Sequence, residues 1–109
     1  MDSQTKETDQ EIMARLREPI NELINKHCSD KTEYQRLRLR QLSWQAVDVL
    51  IRKKSVANLE NEPNIKRITR DIKELGASEE FIQESLALAV SIYSKIKINY
   101  PSLLESYGS

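Results

Sequence analysis

From Thr32 to Lys54 the chain reads TEYQRLRLRQLSWQAVDVLIRKK, with no glycine or proline to interrupt it. At 100° per residue, Leu39, Leu42, Ala46, Val49 and Leu50 fall on one helical stripe. Leu37, Trp44, Val47 and Ile51 fall on a second stripe, roughly 150° around. Only the sector holding Arg38, Gln41, Gln45, Asp48 and Arg52 is uniformly polar. A helix that is apolar over most of its circumference needs neighbours on several sides. This stretch therefore belongs at the centre of a helical bundle, and the rest of the chain must supply the helices that cover it.

The remaining punctuation fits that demand. Two glycines and three prolines suit long helices joined by short loops, and do not suit a sheet with many turns. Thr8 and Glu11 form a capping box that opens a first helix. Ile12, Leu16, Ile20, Leu23, Ile24 and His27 keep phase across Pro19, which predicts one kinked helix over 9–28. Asp30 or Thr32 caps the central helix, which runs to about Lys54 with an extension toward Leu59 left open. Pro63 suits the first position of a third helix, with Ile65, Ile68, Ile72 and Leu75 as its seam and Gly76 just past its end. Ser78 caps a fourth helix, with Glu79 and Glu80 in its first turn where the dipole favours negative charge. That helix carries Ile82, Leu86, Ala89, Tyr93 and Ile96 on one stripe, with Phe81, Leu88 and Ile92 beside it. Asn99, Tyr100 and Pro101 stop it, and the tail SLLESYGS has room for one more turn, with Leu103 and Leu104 packing back. The expectation is an all-α fold. It is a single bundle of four main helices, with a short fifth allowed at the C-terminus. One domain spans 1–109, with residues 1–7 and 106–109 frayed.

Several function classes are disfavoured. Cys28 is the only cysteine, so no internal disulfide forms, which is compatible with a reducing compartment. The polar start MDSQTKETDQE has no apolar core of a secretory signal, and no apolar run is long enough to span a membrane. A cytoplasmic protein is expected. His27-Cys28 is the only pair with ligand chemistry, and a metal site needs three or four converging ligands, so any others would have to be carboxylates. Adjacent helical residues point about 100° apart, which argues against a Cys–His nucleophile. The carboxylate pairs Glu79-Glu80 and Glu18 with Glu22 sit on first turns or polar faces, where nothing pushes their acidities apart. No glycine loop is present to cradle phosphate. The expectation is a protein that is not an enzyme, with no cofactor, no metal and no small-molecule substrate.

Charge is the stronger signal. The chain is formally neutral, yet residues 1–30 carry four basic and seven acidic side chains, or −3. Residues 31–73 carry eleven basic and five acidic, or +6, and residues 74–109 carry two basic and five acidic, or −3. Arg36, Arg38 and Arg40 lie early in the central helix, and Arg52, Lys53 and Lys54 lie at its end. Lys66, Arg67, Arg70 and Lys73 lie on the third helix, with only Asp71 and Glu74 to balance them. Two readings fit. One is a solvated face, with the cations at the end of the central helix offsetting its dipole. The other is a surface that tracks a nucleic-acid backbone without reading sequence, for which arginine is well suited. The turn Leu75-Gly76-Ala77-Ser78 also invites a helix-turn-helix reading over 63–98. Its second helix opens Glu79-Glu80-Phe81-Ile82-Gln83-Glu84, however, and phosphates would repel that start.

A short all-helical chain with basic faces and no active site resembles the small subunits of CRISPR–Cas effector complexes. The stretches that carry the comparison are RLRLRQLSWQAVDVLIRKK and NIKRITRDIKELGAS. The resemblance implies a non-catalytic bundle, present in several copies along a Cascade-like filament. There it would pack on neighbouring subunits and touch RNA or DNA backbones, with sequence recognition left to base pairing. The competing expectation is a protein–protein adaptor or small oligomeric bundle with no nucleic-acid role. Its leftover apolar positions Leu59, Val90, Ile98, Leu103 and Leu104 would then meet a partner.

Overall fold

The structure, a computed structural model, describes residues 7–108. Five helices follow in order: α1 Asp9–His27, α2 Glu33–Lys53, α3 Pro63–Glu74, α4 Glu79–Asn99 and α5 Pro101–Gly108. A short 3₁₀ turn, Leu59–Asn61, precedes α3. The expected all-α bundle is what forms, with the fifth helix realised. The fraying expected of 1–7 and 106–109 falls mostly outside the described residues. At its edges, Glu7 pairs with Arg15, and the backbone of α5 stays helical to Gly108.

Local chemistry sets the helix starts. Thr8 accepts from the Glu11 N–H at 3.1 Å, while the Glu11 carboxylate accepts from the Thr8 N–H at 2.8 Å. The Thr8 backbone N–H that donates to this carboxylate, helped by the nearby Thr8 hydroxyl, lowers the Glu11 carboxyl from its ordinary value. Thr32, rather than Asp30, caps α2 and forms a second capping box with Gln35. Pro63 occupies the first turn of α3, and the Glu62 side chain accepts from the Ile65 N–H at 3.0 Å. Ser78 accepts from the Phe81 N–H at 3.1 Å to open α4. Helix α1 runs through Pro19, whose missing N–H supplies no donor for the Arg15 carbonyl.

Helix ends are equally local. α2 does not extend toward Leu59. It stops at Lys53, because Lys54 turns left-handed with φ 59°, and the Lys53 ammonium donates to the Ala57 carbonyl at 2.5 Å. After α3, Gly76 adopts φ 85°. A Cβ at that position would lie 3.0 Å from Lys31 Nζ, the movable tip of a long side chain, so the left-handed backbone is the main constraint. Gly76→Ala is expected to cost about 1 kcal/mol, lowering the melting midpoint by about 4–8 °C. Gly76→Asn should cost less, since asparagine tolerates the left-handed region. Equal midpoints for wild type and the alanine variant in thermal denaturation would contradict this.

α2 packs on every other helix, as its apolar circumference demands, and so does α4. The two form a central pair, with α1 against both, α3 against both and α5 closing one side. Ser43 and Ala46 of α2, and Ser85 and Ala89 of α4, are all buried. Ser85 Oγ donates to Ser43 Oγ at 3.2 Å, which satisfies the two hydroxyls where the central helices meet. Ile24, Leu39, Val47, Leu50, Ile68 and Phe81 are fully shielded from solvent in the core.

The apolar residues offered as a partner surface are mostly consumed internally. Leu103 is buried, and Leu59, Val90 and Leu104 pack partly against the core. Only Ile98 of that set is exposed, at 76%. Leu37, placed by periodicity on an apolar stripe, is instead 44% exposed, because the groove between α1 and α2 stays open beside it.

Candidate nucleic-acid interface

The structure divides the ten basic residues of the sequence reading into separate environments. Arg36 and Arg40, one turn apart on α2, line a groove between α1 and α2. Arg38 faces away from that groove and donates to Gln41 Oε1 at 2.9 Å. Arg52 and Arg67 line a second cleft, between α2 and α3, with Gln45, Asp48, Val49 and Asn64. Asp48 brings a negative charge to that cleft, and its Oδ1 is buried without a hydrogen-bond partner. Lys53 and Lys54 stand exposed at the end of α2, where they oppose its dipole.

Helix α3 is better balanced than its sequence suggests. Arg67 and Arg70 share Asp71, at 3.5 Å and 3.7 Å. Lys73 pairs across the turn with Glu79 at 3.0 Å, a partner that sequence proximity alone did not assign. Lys66 is exposed and has no ion pair among the described residues. Exposed pairs of this kind contribute little stability, but they lower the charge a phosphate would meet.

The α1–α2 groove is different. One part, about 500 Å³ and within the range of small-ligand clefts, is lined by Arg17, Ile20, Asn21, Leu37, Arg40, Gln41, Trp44 and Gln45. It continues past Leu37 and Arg40 to Arg36, Tyr34, Asn25 and Glu33. Three arginines thus meet one carboxylate along its length. The Arg17 guanidinium lies over the Trp44 ring, 4.6 Å from the centroid. Trp44 is 7% exposed and forms part of the core, whereas Tyr34 is 68% exposed at the other end. Neither Arg36 nor Arg40 makes an ion pair among the described residues, so both guanidinium forks are available to an anion.

Sequence reasoning missed Arg17. It lies in the acidic first third of the chain, and no spacing rule ties a residue of α1 to Trp44. The aromatic residues near the basic stretch, Tyr34 and Trp44, were visible in sequence. Their placement on one groove was not. Cys28 is buried, and burial pushes its thiol up, so it acts as a small core residue. His27 turns away from it toward Glu80 and Glu84.

No helix among the described residues is long and apolar enough to cross a membrane. Comparison with models of protein families, with curated proteins and with solved structures finds no match to this chain.

Proposed function

We propose that this chain is a non-catalytic helical-bundle subunit of a nucleoprotein complex, of the kind the small subunits of CRISPR–Cas effectors represent. It holds RNA or DNA backbones without reading sequence and packs on neighbouring protein subunits. The observation that supports this reading most is the α1–α2 groove, where Arg17, Arg36 and Arg40 meet only Glu33 among the lining residues. Phosphates dock on the arginine forks. Arg17, already stacked on Trp44, offers a planar cation on which a base can lie. The α3 residues Lys66, Arg70 and Lys73 add a weaker positive field, reduced by Asp71 and Glu79.

The test is binding of a labelled single-stranded oligonucleotide across a salt series. Affinity should fall log-linearly with salt, with a slope of about −2 if three phosphates are held at about −0.7 each. Scrambling the oligonucleotide should change affinity by less than about twofold, as expected of backbone contacts. Absence of binding at low salt would overturn the proposal in favour of a protein–protein adaptor. That reading in turn predicts self-association or partner binding that survives high salt.

A further inference from the structure

His27 is the last residue of α1, and its imidazole is only 12% exposed. Its ring stands edge-on to Phe81, 6.0 Å between centroids and 72° between planes, which fixes its orientation. Both ring nitrogens face carboxylates one turn apart on α4. Nε2 is 2.8 Å from Glu84 Oε2, and Nδ1 is 3.8 Å from Glu80 Oε1. Lys26 Nζ lies 3.6 Å from the other oxygen of Glu84. Two carboxylates face the ring against one nearby ammonium. The carbonyls at the C-terminus of α1 add further negative potential.

We propose that His27, Glu80 and Glu84 form a divalent-metal site that straps the end of α1 to the first turns of α4. One ligand atom from each of the three lies within 4.8 Å of the others. A metal with bonds of about 2.0–2.2 Å draws its ligands to within about 3.4 Å of one another. One ion binds one ring nitrogen, here Nε2 beside Glu84, so Glu80 must swing from the Nδ1 side to join it, and its side chain, 76% exposed, has room to do so. The sequence reading expected no metal, because one histidine and one cysteine are too few ligands, and the packing of α1 on α4 brings two carboxylates to that histidine.

The donor set selects the ion. One imidazole nitrogen and two carboxylate oxygens suit Zn²⁺ or a similar borderline dication. Ca²⁺, which needs six to eight oxygens, finds too few, and Cu⁺ finds no sulfur, because Cys28 is turned into the core. Three protein ligands leave a fourth position for water. Lys26 then serves as an outer partner that orients Glu84. The alternative account of the same contacts is an ion pair of a protonated His27 with the two carboxylates, and a metal titration separates the two.

The experiment uses the full chain, stripped with a chelator and dialysed. Saturating Zn²⁺ should raise the melting midpoint by about 4 °C or more, since a ligand held only by the native state stabilises it. Co²⁺ in its place should give visible absorption of a low-coordinate site. E80Q/E84Q, which changes partly or fully exposed side chains and leaves the core intact, should melt near the metal-free wild type and lose both responses. H27N should lose them as well. An unchanged midpoint for wild type in Zn²⁺, or an equal shift in E80Q/E84Q, would overturn the site and leave a histidine–carboxylate ion pair only.

Discussion

Phe81→Ala should destabilise the bundle by about 3–5 kcal/mol, the range for deleting a buried aromatic ring from a close-packed core. Phe81 is fully shielded, sits in the first turn of α4 and packs against the edge of His27. A domain of this size has roughly 5–15 kcal/mol in total, so the loss removes a large share of its stability. The melting midpoint should fall by at least about 12 °C. The substitution reads packing cleanly. The cap that opens α4 uses the Phe81 backbone N–H and the Ser78 hydroxyl, and both survive the change to alanine. Ile98→Ala, at an exposed position on the same helix, should change stability by less than about 0.5 kcal/mol. Chemical denaturation of the two variants side by side checks the pair. A loss below about 1 kcal/mol for Phe81→Ala would mean that the ring is not packed as described.

R17Q/R36Q/R40Q should weaken oligonucleotide binding by about a hundredfold at low salt. Three charge-assisted contacts at about 1 kcal/mol each give that factor. The salt slope should flatten by about 2, because three phosphates would no longer displace counterions. K66Q/R70Q/K73Q is the matched control on α3. It removes the same charge where Asp71 and Glu79 already offset part of it, and it should cost only a few-fold. The groove residues line an open surface, so circular dichroism should show an intact fold in both variants. If the α3 variant loses the binding and the groove variant keeps it, the interface lies on α3. Neutral glutamine is the informative replacement. A reversed charge at Arg67 or Arg70 would repel Asp71 and confuse binding with local destabilisation.

The helices of this protein were legible in its sequence because their causes are short-range. A capping box spans three residues, a hydrophobic stripe repeats every three or four, and a left-handed glycine acts where it stands. Thr8 with Glu11, Ser78, Pro63 and Gly76 each act within one turn, and the structure places each boundary as those residues require. The central place of α2 also followed from its composition, since a helix apolar on most sides must be covered. α4 shares that place, and its fully buried Phe81 lay beside the stripe that periodicity drew.

What only the tertiary structure decided is how the helices are rotated against one another, and the candidate sites depend on that rotation. Periodicity identifies an apolar face, but not the partner helix that meets each part of it. Leu37 therefore stands open at the groove, while the polar Ser43 and Ser85 are buried and satisfy one another at the contact of α2 with α4. The same rotations bring Arg17 over Trp44 and Lys73 to Glu79, and carry Glu80 and Glu84 to His27. Each of these contacts joins residues on different helices, with no hydrogen-bond ladder or fixed spacing between them. The sequence determined the helices and their ends through forces acting within a turn. The grooves and clusters on which function rests were decided by close packing, which selects one set of rotations for the whole bundle.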